Sequence, residues 1–73
     1  MKVQVSNKTN NVSVTFFVST ERNRITRIPQ KFLGTNFTAL ANILLHAHRE
    51  DPAIVGLNWE NLAGSDYSAN LIQ

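Results

Sequence analysis

Thr35–Asp51, TNFTALANILLHAHRED, is the one stretch long and periodic enough to predict a helix, and the reading of the other segments follows from what that helix must pack on. At about 100° per residue, Phe37, Leu40, Ala41, Leu44, Leu45 and His48 fall in one apolar stripe, with Thr38, Asn42, His46, Arg49 and Glu50 opposite. Both ends are marked. Thr35 or Asn36 can cap the first amides just after Gly34, and Pro52 removes an amide and drives Asp51 out of the α region.

The segments before the helix alternate as strands do. Lys2–Ser6 places Val3 and Val5 on one side and Lys2, Gln4 and Ser6 on the other, and Asn7–Asn11 collects residues that tolerate left-handed φ in a hairpin loop. Val12, Val14, Phe16 and Val18 then form an inward row suited to the helix stripe, which leaves Phe17 outward with Thr15 and Ser19. Thr20–Asn23 is the second turn. Arg24–Ile28 follows as a third strand and ends at Pro29; Ile25 and Ile28, three apart, require a bulge, an early exit or one Ile turned outward. Pro29–Leu33 reads as one helical turn closed by Gly34, with Phe32 and Leu33 over the core.

The fragment Arg27–Gly34, RIPQKFLG, resembles the strand, Ile-Pro and short-helix element of the swapped-hairpin transition-state regulators. In that family a further hairpin follows the Leu-Gly. Here the long helix follows instead, so neither that fold nor its DNA-binding role is carried over.

Beyond Pro52 the pattern is weaker. Ala53–Leu57 reads as a connector or brief strand, and Asn58 caps a short turn that holds Trp59 and Leu62, three apart, before Gly64. Trp59 is expected to pack on the helix flank at Ile43 and Ala47. Ser65–Gln73 adds a last turn bringing Tyr67 and Leu71 together, or frays. The predicted fold class is α+β: a three-stranded antiparallel meander packed on one main amphipathic helix, with a short C-terminal helical turn. Residues 1-64 form a single compact domain and 65-73 a tail.

A domain of 73 residues buries only about 60% of the surface its unfolded chain exposes, and with no Cys there is neither a disulfide nor a thiolate metal site to support it. Homodimerisation or ordering on a partner would add stability. No secretory h-region and no apolar run near 18 residues is present, so a cytoplasmic protein outside the membrane is expected. The net charge of +2 is unevenly divided. Through Asn36 the chain carries Lys2, Lys8, Arg22, Arg24, Arg27 and Lys31 against Glu21; from Phe37 onward Arg49 stands against Glu50, Asp51, Glu60 and Asp66.

Residues with catalytic chemistry are few. His46 and His48, two apart on a helix, point away from each other and cannot share a metal ion. There is no Cys nucleophile, Gly-x-Ser-x-Gly elbow or glycine-rich phosphate loop, and a chain this short has little room for a pocket of about 300 Å3. The expectation is a protein that is not an enzyme and takes no cofactor or metal.

What remains is a binding surface. Arg22, Arg24, Arg27 and Lys31 with the outward Phe17 are the expected partner-binding residues: an aromatic anchor amid cations. The partner expected is a larger protein or nucleoprotein assembly with an acidic surface, whose activity the chain would modulate. A phage or mobile-element modulator of host transcription or defence machinery is an example. Direct nucleic-acid binding by the basic ribbon 21-31 is the alternative, though a helix whose one Lys or Arg is Arg49 is poorly suited to a groove.

Overall fold

The computed structural model describes residues 1–72 and is a two-layer α+β fold with one helix under one sheet. The strands are β1 (Lys2–Asn7), β2 (Val12–Ser19), β3 (Arg24–Thr26), β4 (Gly56–Leu62) and β5 (Ser65–Ile72). A 3-10 turn (Gln30–Phe32) precedes the helix α1 (Asn36–Glu50). All pairings are antiparallel and the order is β3-β2-β1-β5-β4, so the first strand is the central one. From edge strand β3, α1 crosses one face of the sheet, and the chain re-enters at the opposite edge as β4.

The core lies between sheet and helix. Val3, Val5, Val14, Phe16, Val18 and Ile25 from the first three strands meet Leu40, Ala41, Leu44 and Leu45 of α1, with Tyr67 and Ala69 of β5. At about 25 cal/mol per Å2 of apolar area removed from water, these side chains are the main source of stability in so small a chain. Edge-on aromatic contacts run across the layer: Phe16 to Phe32 (6.4 Å), Phe32 to Phe37 (5.9 Å) and Phe37 to Tyr67 (5.7 Å). They join β2, the 3-10 turn, the start of α1 and β5.

The helix and the first two hairpin turns form where the residue pattern places them. Loops 8–11 and 20–23 are four residues long, and each ends in an Asn at positive φ, Asn11 at 62° and Asn23 at 53°. Asn tolerates that conformation better than most side chains. Thr35 is the N-cap residue, but its hydroxyl donates to the Phe32 carbonyl (2.6 Å) and caps no amide. Thr38, expected on the polar face of α1, is buried because its hydroxyl also donates to Phe32 O (2.7 Å). At the other end His48 Nδ1 donates to Ile54 O (2.9 Å).

Several expectations are overturned. The sheet has five strands, not three, and the C-terminal helical turn does not exist: Asn58–Leu62 belongs to β4 and Ser65–Ile72 is β5, paired to β1 from Lys2–Ile72 to Asn7–Tyr67. The three-residue spacing of Trp59 and Leu62 comes from a β-bulge. Trp59 pairs with Tyr67 and Leu62 with Ser65, so β4 carries one extra residue there; Asn61 takes φ 56°, and its N–H donates to Asp66 Oδ1 (2.8 Å). The extra residue returns Leu62 to the core side. Trp59 accordingly sits in a strand beside Tyr67, and Ile43, its expected neighbour, is exposed.

The third strand stops at Thr26, two residues early. Arg27 takes φ 53° and redirects the chain, which lets Ile28 pack on the core beside Ile25. Val12 at 42% exposure and Leu33 at 58% lie outside the core in which both were expected. Gln73, last residue of the expected tail, lies outside the described residues. Among the described residues no helix is long and apolar enough to cross a membrane.

Candidate functional site

One face of the sheet is covered by α1 and the other is bare. Strand alternation and register fix what the bare face presents. One row across it is Thr26, Phe17, Lys2 and Ile72; the next is Thr15, Gln4, Asn70 and Gly56; the third is Ser13, Ser6, Ser68 and Asn58. The second and third rows contain no charged residue, and within them Ser6 Oγ and Ser13 Oγ are hydrogen-bonded at 2.8 Å. Charge is confined to the ends of the strands. Lys2, Arg24 and Arg27 stand at one end, Glu60 and Asp66 at the other with Lys8, whose N–H donates to Asp66 O at 2.8 Å.

Phe17 dominates the basic end. The residue is 56% exposed within a strand, and Lys2 Nζ lies 5.4 Å from its ring centroid. Thr26, directly opposite, donates from its hydroxyl to Phe17 O at 3.5 Å. Phe17, Thr26 and Arg27 line an open surface hollow of about 430 Å3. Its walls offer an aromatic ring, a hydroxyl and a guanidinium. That set supplies apolar contact and anion recognition.

The structure gathers some of the expected partner-binding residues and separates others. Phe17, Arg24 and Arg27 share the bare face near the end of β3, because Arg24 pairs with Ser19 and Thr26 with Phe17. Arg22 is exposed in the hairpin turn beyond them, its N–H donating to Ser19 Oγ at 3.3 Å. Lys31 lies elsewhere. Its Nζ is 5.1 Å from the Phe32 ring, which packs against Phe16 on the helix side.

Lys2 is a member of the site that sequence reasoning missed. Alternation does put Lys2 on the outward row of β1, but only the pairing of β1 with β2 sets it against Phe17. Among the described residues no three His, Asp or Glu side chains come together as a metal site would require. Comparison with protein-family models, with curated proteins and with solved structures finds no match to this chain.

Proposed function

We propose that this chain is a non-catalytic binding protein that attaches through its bare sheet face to a larger protein assembly and modulates it. Phe17 is the apolar anchor; Lys2, Arg24 and Arg27 meet acidic groups on the partner. The observation that carries this reading is the anatomy of the face: a half-exposed aromatic beside a field of uncharged Ser, Thr, Asn and Gln, with charge only at the rim. Protein interfaces have that arrangement, with aromatic and Arg anchors and few charges in the middle. Size is consistent with it. The molecule measures 34 × 28 × 18 Å, so a broad face of the slab matches the roughly 800 Å2 that each partner contributes to a standard interface.

Direct binding of single-stranded nucleic acid is the second reading, favoured by an exposed ring flanked by cations on a β-sheet. Against it, a phosphate track needs cations along its course, and the two polar rows have none. Capture from nuclease-treated extract with wild-type protein and with Phe17→Ser separates the readings. A partner retained after nuclease, lost with Phe17→Ser and weakened by replacing Arg24 and Arg27 with Ala supports the protein reading. Affinity that survives only with nucleic acid present, and falls by roughly 50-fold between 50 and 200 mM salt, as about four cations on a single strand imply, supports the other.

A further inference from the structure

The outer edge of β2 is mostly vacant. β2 runs from Val12 to Ser19, but β3 pairs only with Phe17, Val18 and Ser19, so Val12–Phe16 has β1 on one side and, among the described residues, no strand on the other. Arg27 is the reason: at φ 53° it turns the chain away where the next residues would have continued beside Thr15. Val18 N–H donates to Met1 O at 3.0 Å, so alternate peptide groups of β2 face β1, and those of Ser13 and Thr15 face outward. Both residues are exposed.

This edge is also unguarded. Natural sheets blunt their edges with Lys, Pro, bulges or inward charges. The opposite edge, β4, has its bulge at Asn61 and a charge at Glu60, whereas Val-Ser-Val-Thr-Phe from Val12 to Phe16 has neither charge nor Pro and is rich in β-branched residues. An open edge with high strand propensity and outward peptide groups is a template for strand addition.

We propose that this lane receives an extended segment of the partner, running antiparallel to β2 in line with β3. The proposal rests on the reading of the bare face as the binding surface, since Phe17, Thr26 and Arg27 stand at the head of the lane. Residues of the added strand opposite Thr15 and Ser13 lie on the polar face; those opposite Val14 and Val12 lie on the helix side, where Val12 is left partly uncovered. Arg27 stands where the added strand begins. The segment that fits is therefore acidic, apolar, polar, apolar, read from its amino end and lying opposite Thr15, Val14, Ser13 and Val12 in turn, so that its acidic side chain is on the polar face with Arg27, and the main-chain bonds come from Ser13 and Thr15.

The probe is a synthetic fluorescent peptide of that pattern, with a second peptide N-methylated at the amides that would face β2. Binding is expected to shift the amide resonances of Ser13 and Thr15 and to fall at least about tenfold on N-methylation. It should fall similarly in Thr15→Pro, which removes an outward N–H while leaving the β1 ladder intact. Arg27→Gln should weaken the acidic peptide more than a neutral one. No binding, undisturbed Ser13 and Thr15 amides, or equal binding of the N-methylated peptide would overturn strand addition. So would a concentration-dependent dimer that protects these amides, because the lane would then belong to a second copy of the chain. A captured partner lost with Phe17→Ser but kept by a folded Thr15→Pro sinks this inference and leaves the bare-face reading standing; a partner indifferent to Phe17→Ser sinks the latter.

Discussion

Arg49 Nη2 donates a 3.0 Å hydrogen bond to the carbonyl oxygen of Asn23, tying the last turn of α1 to the tip of the β2–β3 hairpin. β3 pairs over only three residues, and besides that ladder the hairpin is held by buried Ile25 and by the Asn23 N–H donating to Ser19 O at 2.7 Å. Arg49→Ala should cost about 1 kcal/mol, which in a domain of this size lowers the thermal midpoint by about 4–8 °C. Amide exchange should accelerate across residues 20–26. If exchange there is unchanged, the contact does not restrain the hairpin.

The β4–β5 turn can be improved. Ala63 and Gly64 connect the paired residues Leu62 and Ser65 at φ 50° and 83°, the two positive values of a type I′ turn, and Ala is poorly suited to the first. Ala63→Asn should raise stability by about 0.5–1 kcal/mol, and Gly64→Ala should lower it. A denaturation midpoint that falls with Ala63→Asn would contradict the turn assignment.

Gly56 is held by crowding. A Cβ at this position would lie 2.6 Å from Asn70 Oδ1 and 3.3 Å from the Ala69 carbonyl oxygen. Gly56→Ala is expected to destabilise by about 1–3 kcal/mol, in the range of overpacking. Asn70→Ser should recover part of that cost in the double variant, since the nearer obstacle is the Asn side chain. Additive losses would show that the backbone contact dominates.

Neighbouring phenylalanines should behave oppositely. Phe16 is 2% exposed, so Phe16→Ala should cost about 3–5 kcal/mol, comparable with the whole stability that a core this small supplies. Phe17→Ser should stay within about 0.5 kcal/mol of wild type, yet remove partner binding. Equilibrium unfolding measures the first pair of values and capture measures the last.

Legibility in the sequence followed the regularity of the backbone. The helix, β1 and β2 repeat their apolar residues at a single period, so Leu40, Leu44, Val14 and Phe16 could be placed in the core from spacing alone. β4 could not be, because the bulge at Asn61 converts a two-residue repeat into the three-residue interval between Trp59 and Leu62, which imitates a helical turn. In β5 the apolar row is Tyr67, Ala69 and Leu71, and pairing Tyr67 with Leu71 across four residues admitted a helix as readily as a strand. For the site, Phe17 and the arginines stand out by type. Lys2 and the bare edge at Ser13 and Thr15 depend on which strands are neighbours, and that is decided by long-range pairing.

The central position of β1 sets a timetable for the chain. Val3 is paired to Phe16 on one side and to Leu71 on the other, so half of its backbone partners are synthesised almost seventy residues after it. A nascent chain halted before Ser65 has its valine-rich middle strand exposed along one flank, and such distant closures slow folding. The sheet therefore completes from the middle only after the last strand has left the ribosome, and until then the free flank of β1 is open to wrong pairing.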